Sequence, residues 1–121
     1  MNKKEIYLDH ASTTYTDPQV LEAMLPYFTE NFGNPKSIHE KGRKAKQAID
    51  KARIEIAKFL NCDSSEIIFT GSGTESNNIA IIGAARANKE NGNHLITSKI
   101  EHSSVIKVFE YLEKEGFEVT Y

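Results

Sequence analysis

Apolar and polar positions fall into blocks along the chain, and each block carries its own period. Ile6-Tyr7-Leu8 is a short apolar run that reads as an extended segment, and the polar, small-residue stretch Asp9 to Tyr15 reads as a loop. Thr16-Asp17-Pro18 predicts a helix start, because a capping side chain precedes proline at the first helical position. Val20, Leu21, Met24, Leu25 and Phe28 then share one face, and the pattern fades near Asn31. Phe32-Gly33-Asn34-Pro35 predicts a turn, since Gly and Asn accept unusual backbone angles and Pro blocks continuation of a helix. Ser37-Ile38-His39-Glu40 has the Ser-x-x-Glu form of a capping box. Ala45, Ala48, Ile49, Ala52, Ile56, Phe59 and Leu60 follow at helical spacing, and Asn61-Cys62-Asp63 ends that helix.

The second half alternates between strand and helix patterns. Glu66 to Thr70 predicts a short strand that runs into Gly71-Ser72-Gly73-Thr74-Glu75-Ser76-Asn77 and then an apolar segment, Ile79 to Ala87. That segment is apolar on nearly all sides, which predicts a buried helix. His94 to Ser98 predicts a second strand, and Ser103 to Glu115 an amphipathic helix with Val105, Ile106, Phe109 and Leu112 inward. Gly116 is its expected stop, and Phe117 to Tyr121 begins a third strand. Strands alternating with helices imply an α/β fold with a mostly parallel sheet. Such sheets are normally covered on both faces and have several strands, so the expectation is a truncated sheet whose open edges invite pairing between molecules.

Composition narrows the classes. The 121 residues set one domain core as the ceiling, and 39% hydrophobic and 26% charged residues are ordinary for a globular protein. A formal charge of -2 from interspersed acids and bases argues against nucleic acid as a partner. The most basic stretch, Lys41 to Lys58, mixes its cations with apolar residues, Asp50 and Glu55, as a solvated helix face does. No apolar run approaches the ~18 residues that span a bilayer. The start Met1-Asn2-Lys3-Lys4-Glu5-Ile6 lacks a signal segment, and the single cysteine, Cys62, forms no internal disulfide. The expected location is the cytoplasm, with no membrane partner.

Two features carry candidate chemistry. Gly71 to Ser76 joins a predicted strand to a helix start, where free N–H groups and the helix dipole attract anions, with hydroxyls from Ser72, Thr74 and Ser76 nearby. The loop equally suits a plain chain reversal. It lacks the Gly-Lys-Ser/Thr ending of a P-loop and the Gly-x-Gly-x-x-Gly spacing of dinucleotide sites. The second feature, Ser98-Lys99-Ile100-Glu101-His102-Ser103-Ser104, lies past a strand, at the sheet edge where open α/β folds place ligands. His102 there suits stacking on an aromatic cofactor or moving protons, or else simple hydrogen bonding at a helix start. Lys99 reads as a surface lysine and Cys62 as a small apolar residue rather than a nucleophile. His10, His39 and His94 have no metal-site spacing.

Taken as a set, Tyr7-Leu8-Asp9-His10-Ala11-Ser12-Thr13-Thr14, Phe32-Gly33-Asn34-Pro35, Phe69-Thr70-Gly71-Ser72-Gly73-Thr74-Glu75-Ser76-Asn77-Asn78 and Glu101-His102 resemble the opening of the cysteine desulfurases. These are class V aminotransferase-like, fold-type I enzymes of pyridoxal 5′-phosphate. The resemblance implies a partial three-layer PLP-transferase-like fold: an extended segment over residues 1–15, two helices over 16–60, and the start of the cofactor-binding large domain over 61–121. By the same resemblance, Gly73 and Thr74 bind the cofactor phosphate. His102 stacks on the pyridine ring and shuttles protons, and Ala11, Thr13 and Asn34 lie by the substrate pocket. L-cysteine is the implied substrate, alanine and an enzyme persulfide the products, and a sulfur acceptor or iron–sulfur scaffold protein the onward partner of a homo-oligomer. The family's Schiff-base lysine and persulfide cysteine belong to segments beyond residue 121, so the fragment alone is expected to be inactive. Selenocysteine lyases, kynureninases and serine-type aminotransferases share the fold and cofactor, and a non-catalytic binding or oligomerisation module is the reading from a different class.

Overall fold

A computed structural model describes residues 5–121. The reading of the first four residues as lacking a signal segment therefore lies outside the described part. The chain divides into two compact units, Met1–Ile67 and Ile68–Tyr121.

In the first unit, α1 (Pro18–Met24) starts as predicted: the Asp17 carboxylate accepts from the Gln19 N–H at 2.8 Å, and Pro18 occupies the first helical position. The single helix expected to fade near Asn31 is instead two. Pro26 has no N–H to continue the ladder, so a separate turn, α2 (Pro26–Thr29), follows. The long helix α3 (Glu40–Leu60) begins without the predicted Ser37 box. The Ser37 N–H donates to the Asn34 carbonyl at 2.9 Å, and the cap is His39, whose Nδ1 accepts from the Gly42 N–H at 3.3 Å. Gly42, Ala45 and Ala57 are buried, while Phe59 is 88% exposed. Asn61, left-handed at φ 54°, ends α3, and its N–H turns back to the Ala57 and Lys58 carbonyls.

The expected strand over Glu66 to Thr70 does not form. Ser64–Glu66 is a 3-10 turn closed by a capping box between Asp63 and Glu66, and residues 67–70 are outside the sheet. Arg53 donates to the Ile67 carbonyl and ties α3 to this turn.

In the second unit, α4 (Gly73–Ala87), β1 (His94–Ile96), α5 (Ser103–Lys114) and β2 (Glu118–Thr120) form one strand–helix–strand layer with α4 against α5. The strands pair in parallel, with His94 opposite Glu118, Leu95 opposite Val119 and Ile96 opposite Thr120. Both strands are shorter than the apolar runs that predict them. The core is small: Ala85 of α4, Val108 and Leu112 of α5, and Phe117, flanked by Ile81, Ile82 and Leu95. Here α4 departs from the expected buried helix, since Ala85 is its only buried residue among those described and Ile79 is 46% exposed. Its apolar residues outnumber what one helix and two short strands can cover. Gly116, at φ 91°, takes the left-handed turn that leads from α5 into β2.

Candidate functional site

The glycine loop ends where α4 begins. Ser72 is the cap: its hydroxyl accepts from the Glu75 N–H at 3.2 Å and its carbonyl from the Ser76 N–H at 3.1 Å. That leaves the N–H groups of Gly73 and Thr74, the first two helical residues, without an acceptor among the described residues. They lie at the positive end of the helix dipole. A Cβ added to Gly73 would meet nothing within 4 Å, so the space beside these donors is open. Gly71 is different, because its N–H is already taken by Glu75 Oε2 at 2.6 Å. The Thr70 and Ser76 hydroxyls, 2.6 Å apart, close the loop on the other side.

His102 caps α5. Its Nδ1 accepts from the Ser104 N–H at 3.1 Å and lies 2.8 Å from the Ser104 hydroxyl. That hydroxyl also accepts from Asn77 Nδ2 of α4 at 2.8 Å. The pairing of α4 with α5 therefore brings the start of one helix beside the start of the other. Thr74, Asn78, His102, Ser104, Lys107 and Tyr111 are among the residues lining a shared cavity of about 410 Å³. Small-molecule pockets commonly span about 300–1,000 Å³.

The donor set fits a phosphorylated heteroaromatic group. Two unengaged N–H groups at a helix start suit a phosphate, and an exposed imidazole lining the same cavity is a group that can stack on a planar ring. The Glu75 carboxylate, an unfavourable charge for an anion at this helix start, is engaged by the Gly71 N–H.

Ala11, Thr13 and Asn34 belong to the first unit. Ala11 is exposed in the turn that follows Asp9, and the Thr13 carbonyl accepts from the Tyr7 hydroxyl at 3.0 Å. Thr13 also lines an open cavity of about 840 Å³ with Tyr7 and His10. Asn34 Oδ1 accepts from the Lys36 N–H at 2.9 Å. Cys62 is half-buried just past α3. No group of three or more His, Cys, Asp or Glu among the described residues is placed to hold a metal ion, and no helix there is long and apolar enough to cross a membrane. Sequence reasoning gave no role to Asn77. The signal was present, since it lies three residues past Thr74 and so on the same face of α4.

The chain has known relatives. Residues 6–121 match the aminotransferase class-V family, and the chain is a member of it. It is 53% identical over 118 residues to the cysteine desulfurase IscS of Clostridium botulinum, covering 98% of this chain and 30% of that protein. It is 54% identical over 119 residues to the cysteine desulfurase IscS of Dictyoglomus turgidum, again over 98% of this chain and 30% of the other. Among solved structures it is similar to SspA in complex with cysteine, with a TM-score of 0.85, 45% identity, and coverage of 95% of this chain and 33% of that one. The chain thus spans about 30% of the length of these curated relatives.

Proposed function

We propose that residues 68–121 supply the phosphate cradle and ring partner of a pyridoxal phosphate site, within part of a cysteine desulfurase. The observation that carries this reading is the cavity that Thr74 and His102 both line, together with the N–H groups of Thr74 and of Gly73 before it, which have no acceptor among the described residues. Pyridoxal phosphate, when bound, supplies an electron sink that activates the substrate amino acid.

The chain's own residues do the holding. Gly73 and Thr74 donate their N–H groups to the phosphate, aided by the helix dipole, and the missing Cβ of Gly73 lets the anion approach. His102 lays its ring on the pyridine. Its Nδ1 is occupied by Ser104, so Nε2 is the atom that holds and moves the proton. Asn34, whose Oδ1 is taken by the Lys36 N–H, keeps its Nδ2 for a substrate, and Ala11 and Thr13 are the other residues assigned to the substrate.

Under this reading the whole protein converts L-cysteine to L-alanine. A cysteine thiolate outside this chain attacks the substrate sulfur; the S–S bond forms as the C–S bond breaks, and the substrate carbon keeps the electron pair and takes up a proton. The persulfide passes to a sulfur acceptor or iron–sulfur scaffold protein in the cytoplasm. The 121-residue chain alone turns over no cysteine.

Gly73→Pro tests the cradle. Proline is well accepted at the first helical position, and Ser72 ahead of it is already extended at φ -166°, ψ 162°, so the change removes one N–H while the helix survives. Affinity for pyridoxine 5′-phosphate, which has ring and phosphate but no aldehyde to react with lysines, falls about tenfold or more if the Gly73 N–H and the open space beside it hold the anion. Unchanged affinity contradicts the cradle.

A further inference from the structure

Granted that reading of His102, we infer that Asn77 and Ser104 are positioning residues for its ring: a one-way run of hydrogen bonds from α4 adds to the Ser104 backbone N–H in keeping the proton off Nδ1 and on Nε2. Asn77 Nδ2 donates to Ser104 Oγ at 2.8 Å, and Ser104 Oγ lies 2.8 Å from His102 Nδ1. The Ser104 N–H also points at Nδ1, at 3.1 Å. A proton on Nδ1 would meet that backbone N–H head-on, so Nδ1 is an acceptor. The Ser104 hydroxyl must then be the donor to Nδ1, which leaves its lone pairs for Asn77.

Every bond in the run points toward the ring, and the neutral imidazole carries its proton on Nε2. That nitrogen has no hydrogen-bond partner among the described residues. Asn77 acts only through Ser104. Its half-buried amide sets the direction of the hydroxyl, because an amide nitrogen donates and does not accept. A side chain at 77 that accepts reverses the run: the Ser104 hydroxyl turns to it, and Nδ1 keeps the backbone N–H alone.

The test is the imidazole ¹⁵N spectrum of the full 121-residue chain, read for the two neutral tautomers. In the parent chain the Nε2-protonated pattern dominates at His102. In Asn77→Asp, whose carboxylate accepts but does not donate, the share of the Nδ1-protonated form rises about fivefold, the effect of losing one ordinary hydrogen bond. Ser104→Ala, which removes the hydroxyl and keeps the backbone N–H, gives the same shift. Backbone amide spectra check the fold, and Ser104→Ala decides should Asn77→Asp unfold the chain. A parent ring protonated on Nδ1, or His102 signals unchanged in the folded variants, overturns the inference. Pyridoxine 5′-phosphate titrated into the parent chain separates the two claims. A tautomer shift in the variants without binding by the parent upholds the positioning role and contradicts the cofactor site.

Discussion

Arg86 near the end of α4 grips Glu115 at the end of α5 with two donors: Nε reaches Oε2 at 3.1 Å and Nη2 bonds Oε1, while the same Nη2 lies 3.1 Å from the Tyr111 hydroxyl. This pair closes the end of the helix pair opposite to Asn77 and Ser104, so two polar clasps hold α4 and α5 at their two ends. The hydrogen bond from Arg86, and after it the Tyr111 hydroxyl, lower the Glu115 carboxyl from 4.5 to about 2.

The lowered carboxyl sets a pH dependence. Its folded value lies below its unfolded one, so the ionised form favours the fold; the contribution is complete above pH 4.5 and fades as pH falls toward about 2. Because the pair is partly solvated, the effect is small and weakens with salt. Acid unfolding followed by circular dichroism is expected to be shallower in Glu115→Gln across that window. Superimposable acid titrations of the two proteins contradict the role given to Glu115.

His102 caps α5, and under the proposed reading it is also the ring partner, two duties that separate by substitution. His102→Asn keeps an acceptor for the Ser104 N–H and loses the imidazole; His102→Ala loses both. Thermal unfolding is expected to place the Asn variant within a few tenths of a kcal/mol of the parent and the Ala variant about 1 kcal/mol below it. Both variants lose affinity for pyridoxine 5′-phosphate. Full affinity in His102→Asn means the ring does not stack.

Elements with local signals were legible. Asp17-Pro18 announced α1, the spacing of Val105, Ile106, Phe109 and Leu112 announced α5, and Gly116 stands where α5 turns into β2. The Glu66–Thr70 run misled because its apolar pattern promises a strand, while a strand exists only with a partner, and β1 and β2 pair with each other. Ser37 misled because capping depends on where its neighbours' N–H groups go, and the Asn34 turn claims the Ser37 N–H first. His39 then caps α3, a residue type outside the usual capping set. Thr74 and His102, which the sequence places near one another at the sheet edge, line one cavity, but Asn77 needed the α4–α5 pairing, which no local pattern encodes.

Close backbone approach fixes the turn that carries Asn34. A Cβ on Gly42 would lie 2.2 Å from the Ser37 carbonyl oxygen and 2.8 Å from that of Asn34, and one on Gly33 would lie 2.2 Å from the Lys41 carbonyl oxygen. Backbone atoms cannot swing aside as a side chain does. Gly42→Ala is expected to lower stability by about 1–3 kcal/mol in denaturant unfolding, whereas Gly83→Ala, where a Cβ meets nothing within 4 Å, gains from helix propensity. Equal midpoints for the two variants contradict the tight turn.

Ile96 of β1 and Ile100 after it are 74% and 94% exposed, and two strands leave sheet edges open. Self-association is the expected result: light scattering gives a mass above the 13.6 kDa of one chain. Replacing both isoleucines with lysine shifts the mass toward that value. A single-chain mass for the parent at high concentration contradicts this expectation.

The central claim, a phosphate cradle at the start of α4 beside the His102 ring, is tested most directly by titrating pyridoxine 5′-phosphate into the ¹⁵N-labelled chain. The Gly73 and Thr74 amides and the His102 imidazole are expected to shift together and saturably, with pyridoxine lacking the phosphate moving the two amides far less. Shifts confined to other residues, or none at any concentration, would contradict it.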